Sequence, residues 1–362
     1  MQAPKATAAS LAQELSAALA LIPEAVGRLK CSQASLPNSS SPFVFFHQRK
    51  CGGTSLRELL ANSSKLAGLP YSIPCHNLPC NDAHLRDIPW AHRDRSVFGS
   101  HYSWQGVKNM LYFKANKNNF SDSPRHGHFS CVTNIRNPLS RVESCWQWRM
   151  PGLLASNDTA VWAAQLRKGR SKFAEGCNNE PMRVFWSGGG AEDRVNALTS
   201  ADPDAPMVLR ETLSHLSHCV IFSHERCEES LQLLGYFHPW LHVDCSTRLQ
   251  QNTQKRGRFT EQQLQVVREQ NELEIMVHGY AERLFDAQLE MISDVLHVMD
   301  VADPRGQTIT WRIFARDLAD PAAAVQKFCA LYWTAALETC ALAVMRNLAQ
   351  RFPFLHNPQT VP

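Results

Sequence analysis

The sequence lacks a dominant charge. Its 37 Lys and Arg stand against 33 Asp and Glu, a net charge of +4, too little to argue for nucleic acid by itself. It lacks CxxC pairs: the twelve cysteines are scattered along the chain, which argues against a zinc module. No basic start followed by a continuous apolar stretch opens the chain, so no signal peptide is visible. Residues 328–346 are the most apolar stretch, but Glu338 lies near their middle. A charge there would cost roughly 3 kcal/mol in a bilayer, so a packed helix is expected rather than a membrane span. Internal repeats are absent.

What is present is an ordinary globular composition, 44% hydrophobic and 19% charged. That excludes a disordered, collagenous or coiled-coil chain. The length of 362 residues suits about two domains of ~150 residues, although one α/β domain can reach ~250. Asn38, Asn62, Asn119 and Asn157 each begin an N-x-Ser/Thr sequon. With the even cysteine number they point toward a secretory compartment. Cys75 and Cys80 are near enough in sequence to bridge. Basic residues cluster at Arg248, Lys255, Arg256 and Arg258, and at Lys108, Lys114, Lys117 and Arg125. Such patches suit an anionic ligand or a plain solvated surface.

Leu11, Leu15, Ala18 and Ile22 share one helical face, so residues 1–41 read as an amphipathic helix and a Ser/Pro/Asn-rich linker. Short strand-type runs follow at 43–46, 96–100, 129–135 and 219–222. Helical patterns cover 55–61, 137–148, 225–234 and 260–295, the last opened by a Thr260–Gln263 capping box. Residues 63–95 and 150–205 read as mostly irregular. Repeated strand–turn–helix units imply a parallel sheet with helices on both faces. The expected organisation is 1–41, an α/β domain at 42–292, and a mainly helical extension at 293–362.

Two segments carry chemistry. From His47 the chain reads H-Q-R-K-C-G-G-T-S, a strand running through a glycine turn into a helix. Gly52 and Gly53 let the backbone approach a phosphate closely. Thr54 and Ser55 add hydroxyls, Lys50 adds a charge, and the helix start adds a positive dipole. This is no Walker A loop, which needs Lys after the glycines. From Arg136 the chain reads R-N-P-L-S-R-V-E-S, where a strand-end Arg and Ser144, about two helical turns on, suit one phosphate.

The two segments together resemble the PAPS-dependent sulfotransferases, and among them the Golgi polysaccharide branch that includes the heparan sulfate and uronyl 2-O-sulfotransferases. That family pairs H-I-P-K-T-G-G-T-S with a later R-D-P-x-x-R-x-x-S. Cys51, Gln48, Arg49 and Asn137 depart from it. Looser likenesses follow: Asn179 to Gly188 to an N-x-x-x-R stretch, 221–234 to a strand and T-E-x-x-x-x-S-L helix with His224 in the Thr position, and 249–285 to a closing loop and final helix. The resemblance covers roughly residues 42–292.

It implies a three-layer sulfotransferase fold with a P-loop-like turn, and PAPS as donor with no metal. Lys50, Cys51, Gly52, Gly53, Thr54 and Ser55 would hold the 5′-phosphosulfate, and Arg136 and Ser144 the 3′-phosphate. Thr253, Lys255 and Arg256 would lie in the loop that closes over the nucleotide. A general base comes from His101, just after a strand, or from His126 and His128, just before one. Ligand sites lie beyond the carboxyl ends of parallel strands, which favours His101. The family agrees, although Gly99 replaces the first His of its H-G-H-x-S-Y stretch. His47 reads as loop support.

The implied acceptor is a carbohydrate hydroxyl, on an anionic polysaccharide, with Lys108, Lys114, Arg167, Lys168, Arg170 and Lys172 as groove candidates. Nucleic acid is not an expected partner. The implied location is the Golgi lumen or membrane, with the cytoplasm as alternative. The N-terminal anchor usual in the family is not visible. Rival readings are a kinase or ATPase, an inactive glycan-binding protein of the same ancestry, and a sulfotransferase for protein tyrosine or a small molecule. A kinase would need a Walker-type Lys and a magnesium carboxylate at a strand end; neither is evident.

Overall fold

The computed structural model describes residues 3–31, 36–74, 95–117, 129–149, 177–188, 192–241, 259–292, 295–302, 308–314, 320–332 and 337–351. At its centre lie five parallel strands: β1 (Phe43–Phe46), β2 (Tyr71–Ser72), β3 (Val97–Ser100), β4 (Ser130–Ile135) and β5 (Cys219–Ser223). Their order is β2-β3-β1-β4-β5. The expected α/β class, a parallel sheet flanked by helices, is present. β1 and β5 bury every residue, which is why they read as unbroken apolar runs rather than as alternating ones.

The flanking helices are α1 (Ala3–Ala20), α2 (Ile22–Cys31), α3 (Gly53–Leu66), α4 (Trp104–Lys117), α5 (Pro138–Arg149), α6 (Glu180–Phe185), α7 (Glu192–Ala197), α8 (Ala205–Leu216), α9 (Cys227–Phe237), α10 (Glu261–Gln270) and α11 (Glu272–Glu290). The expected N-terminal helix is two helices. They pack on α8 and α11, and they bury Leu11, Ile22 and Ala25 in the same core as Phe43, Phe98 and Ile221. Helix α4, helix α8 and strand β2 were not anticipated.

The single long helix expected over 260–295 is interrupted. Its capping box forms: Gln263 N donates to Thr260 Oγ1, and Thr260 N to Gln263 Oε1. At buried Asn271, however, the backbone leaves helical geometry (φ −119°, ψ 25°). The Asn271 amide donates to Val267 O and to Asn178 Oδ1, and its Oδ1 accepts from Asn179 N. A side chain that bonds nearby backbone groups in this way competes with the helix ladder. The break therefore ties α10 to the 178–179 turn.

The C-terminal extension is not helical throughout. Strands β6 (Val295–Ala302) and β7 (Thr308–Phe314) form an antiparallel hairpin before α12 (Pro321–Tyr332) and α13 (Leu337–Arg351). Ile309, Trp311 and Ile313 alternate with the period of a strand. Trp311 and Ile313 pack with Val325, Phe328, Val344 and Leu348 in a cluster separate from the main core. Cys329–Cys340 joins α12 to α13. Glu338 is exposed on α13. Among the described residues no helix is long and apolar enough to cross a membrane.

Two further disulfides brace the main unit. Cys131–Cys219 links directly paired positions of β4 and β5 across a sequence separation of 88, a loop whose closure stabilises by about 4.6 kcal/mol on chain-entropy grounds. Cys145–Cys177 ties α5 to the segment before α6. Cys75 and Cys80 lie outside the described residues.

The topology also locates a crevice. From β1 the chain proceeds toward the β2 edge, and from β4 toward the β5 edge, while β1 and β4 are neighbours. Ligand crevices of open parallel sheets form at such a reversal, beyond the carboxyl ends of the strands.

Candidate functional site

The loop between β1 and α3 sits at that reversal, and buried polar side chains of β4 hold it. Thr133 Oγ1 donates to Phe46 O at 2.9 Å and accepts from Gln48 Nε2 at 3.2 Å. Gln48 N donates to Asn134 Oδ1 at 2.8 Å, and Asn134 Nδ2 reaches Cys51 O at 2.9 Å and Gln48 O at 3.3 Å. One buried amide thus satisfies three backbone groups of the loop, which would otherwise be stranded away from water.

Within the loop, Lys50 has φ 65°, a left-handed conformation uncommon for a residue with a Cβ. Gly52 has φ 76° and precedes α3 with no side-chain cap hydrogen bond. The first N–H groups of α3 are therefore not claimed by a cap side chain, as an anion-binding helix start requires. Both glycines are needed. A Cβ on Gly53 would lie 2.0 Å from His47 Nε2, and one on Gly52 would lie 2.6 Å from His224 Cδ2.

The sequence candidates fall as follows. Ser55 is half-buried in the first turn of α3, and Thr54 is beside it. The Cys51 side chain is fully buried, and its thiol faces Arg49 O. Burial pushes that thiol well above its ordinary pKa, so Cys51 offers a ligand only its backbone. Arg136, just past β4, donates from Nη1 to Lys50 O at 3.1 Å. This contact brings the two motifs together across the crevice. Ser144 is half-buried on α5, and no hydrogen bond joins it to Arg136. Lys108 is exposed on α4, its amine 5.9 Å from the Trp104 ring. Thr253, Lys255, Arg256, His126, His128 and residues 167–172 lie outside the described residues, as does the Lys114 side chain.

His101 follows β3 at the same sheet edge. Its Nδ1 is 2.9 Å from His47 O, and its ring stacks on the His47 ring at 4.0 Å. A carbonyl can only accept, so Nδ1 carries the proton and Nε2 keeps its lone pair. Burial, then the nearby Arg183, lowers the His101 pKa to about 3. The imidazole is neutral, with Nε2 as its basic atom. His47 is buried and held neutral by burial, by His101 and by Arg57. Its expected supporting role fits the carbonyl it presents to His101.

The sequence reading missed the charged lattice beneath these groups. Buried Glu180 accepts from Arg49 N at 2.9 Å, and from Arg183 Nε and Nη2 at 2.9 and 2.7 Å. Burial raises its pKa, but Arg183 and Arg49 outweigh that and hold it at about 2. Arg183 Nη1 donates to His101 O at 3.2 Å. Below lies a second buried pair, Arg141 and Glu274, and Glu274 Oε2 also accepts from Glu180 N at 3.1 Å. Asn179 and Arg183 stand in the N-x-x-x-R stretch, but no local pattern marks Glu180 or Glu274 as buried. Among the described residues no group of three His, Cys, Asp or Glu converges on a metal position.

The arrangement is chemically specific. A tethered loop offers N–H donors and Lys50, Arg136 closes one side, and a neutral histidine with a free basic nitrogen stands on the other. No protein-family model matches the chain, and no curated protein matches it.

Proposed function

We propose that the protein is a sulfotransferase that moves the sulfuryl group of PAPS to a hydroxyl of a carbohydrate, an anionic polysaccharide being the acceptor class the resemblance favours. The observation that carries this reading is the junction of the two phosphate motifs, Arg136 Nη1 on the Lys50 carbonyl, at the reversal between β1 and β4. The reading assigns the sheet to the sulfotransferase fold and the 47–52 loop to its phosphate-binding turn.

The residues fit such a donor. Gly52 is left-handed and carries no Cβ, and the start of α3 has no side-chain cap, a combination that suits a phosphate. When bound, PAPS supplies the activated sulfuryl group and leaves as 3′,5′-ADP. The N–H groups of Gly52, Gly53, Thr54 and Ser55 hold the 5′-phosphate, and Lys50 answers the charge that grows there as the bond breaks. Arg136 and Ser144 hold the 3′-phosphate, and Thr253, Lys255 and Arg256 belong to the closing loop. His101 Nε2 takes the proton of the acceptor hydroxyl. Negative charge beside it raises its basicity from the depressed value of the free protein. Glu180 and Arg183 hold the His101 backbone in register.

The disulfides Cys131–Cys219, Cys145–Cys177 and Cys329–Cys340 support an oxidising compartment such as the Golgi lumen over the cytoplasm.

A thermal shift with 3′,5′-ADP, compared with 5′-AMP and ATP–Mg, tests the donor site. A ligand at ~100 times its Kd stabilises by ~2.7 kcal/mol, a shift of several degrees. The expected result is a shift with 3′,5′-ADP that Arg136→Ala removes, and loss of most transfer in Lys50→Ala and His101→Ala. A shift with ATP–Mg alone would replace the reading with a kinase. No shift with any nucleotide would leave a binding protein.

A further inference from the structure

His224 has no part in the scheme above, yet it stands in the crevice. We propose that His224 is a further phosphate-binding residue of this site, bridging the Gly52 turn and Arg136. The inference rests on the nucleotide reading of the crevice and assigns it a residue that the resembled motif does not supply, since that motif has Thr at this position.

Three observations carry it. First, His224 N donates to Ile135 O at 3.0 Å. This bond extends the β4–β5 ladder by one residue and sets His224 beside Arg136 at the carboxyl edge of the sheet. Second, the imidazole lies against the phosphate turn. A Cβ on Gly52 would meet His224 Cδ2 at 2.6 Å and Nε2 at 3.2 Å. The ring therefore lies against the loop that would hold one phosphate, on the residue paired beside the strand end that carries the arginine for the other. Third, the residue is half-exposed, and no hydrogen bond from a described residue reaches either ring nitrogen. A structural histidine normally spends those nitrogens on protein partners; this one has Nε2 on the side of Gly52 with no described partner.

The charges around it define how it would work. Arg136 acts on it from the end of β4, and Glu225 from its own turn; from the β1 loop uncharged Gly52 lies against it. Glu225 is committed to the neighbouring strand end, its Oε1 accepting from Asn137 N at 2.9 Å. Burial, then Arg136, keeps the ring neutral in the free protein. A bound bisphosphate brings several negative charges between the same groups. It neutralises the influence of Arg136 and favours the imidazolium, which then donates from both nitrogens. Binding at neutral pH would take up a proton, and a Thr at this position could not do so.

The test is calorimetric titration of 3′,5′-ADP into the wild-type protein, His224→Gln and His224→Thr. Each is measured near pH 6 and near pH 8, and in two buffers of different ionisation enthalpy. The buffer pair counts protons taken up. The nucleotide's own phosphates titrate equally in all three proteins, so the difference isolates His224. Because the side chain is half-exposed and not hydrogen-bonded to described residues, both variants should melt as the wild type does. The expected result is that the wild type gains about tenfold more affinity than either variant between the two pH values, with uptake of most of one extra proton. Equal pH slopes and equal proton uptake in all three proteins would overturn this inference alone. No binding by any of them at either pH would remove the nucleotide reading and this inference with it.

Discussion

Replacing Glu274 by Ala tests the lattice on which the candidate site rests. Arg141 and Glu274 are 1% and 2% exposed, and they join α5 to α11 through two charge-assisted hydrogen bonds. Arg141 also reaches Cys177 O, and Glu274 also receives Glu180 N. Removing the carboxylate would leave a guanidinium buried without its counter-charge, at about 3–5 kcal/mol. It would also orphan a buried N–H, a further loss of about 1 kcal/mol or more that does not simply add. A total near 4 kcal/mol lowers the Tm by roughly 8–12 °C for a unit of this size. Urea denaturation and calorimetry of Glu274→Ala would measure it. Arg141→Met combined with Glu274→Leu should recover at least half of the loss, because it removes the stranded charge and keeps the volume. A loss below about 1 kcal/mol in Glu274→Ala, or a double variant no better than the single one, would refute the claim that desolvated charge dominates here.

Two more predictions concern the loop and pH. Asn134→Ala should destabilise by about 2–3 kcal/mol, since it strands backbone groups of Gln48 and Cys51. It should also blunt the 3′,5′-ADP thermal shift; an undiminished shift would mean that the loop holds its shape without β4. Acid should unfold the protein in two stages. The His101 pKa is depressed to about 3, so its stabilisation is lost as pH falls from its ordinary value toward 3. Glu180, held at about 2, contributes above its ordinary carboxylate range and is lost as pH falls toward 2. Urea midpoints measured against pH should therefore fall more shallowly below about pH 4.5 in Glu180→Gln than in the wild type.

Much of the scaffold was legible because its signals are local. Phe43–Phe46 and Cys219–Phe222 are apolar throughout, which suits strands covered on both faces. The Thr260 capping box announced a helix start, and the K-C-G-G-T-S run announced a turn between a strand and a helix. Other features were not legible, each for a physical reason. The helix expected over 260–295 breaks at Asn271 because that side chain finds partners 93 residues away, a competition that no helical period records. The C-terminal hairpin was not foreseen within an extension whose longest apolar run, 328–346, falls largely in α12 and α13. Only their pairing with each other and burial against α12 and α13 select the strand.

The site divides in the same way. The residues of the candidate site, Lys50, the glycines, Arg136 and His101, could be named from sequence order, since a strand end followed by a turn puts them at one edge of a parallel sheet. Their electrostatic state could not. The His101 Nδ1 bond to His47 O, the Glu180–Arg183 pair beneath it and the His224 ring against Gly52 join segments far apart in the chain. Protonation, tautomer and backbone tension depend on distances between such segments, and the tertiary structure alone decides them.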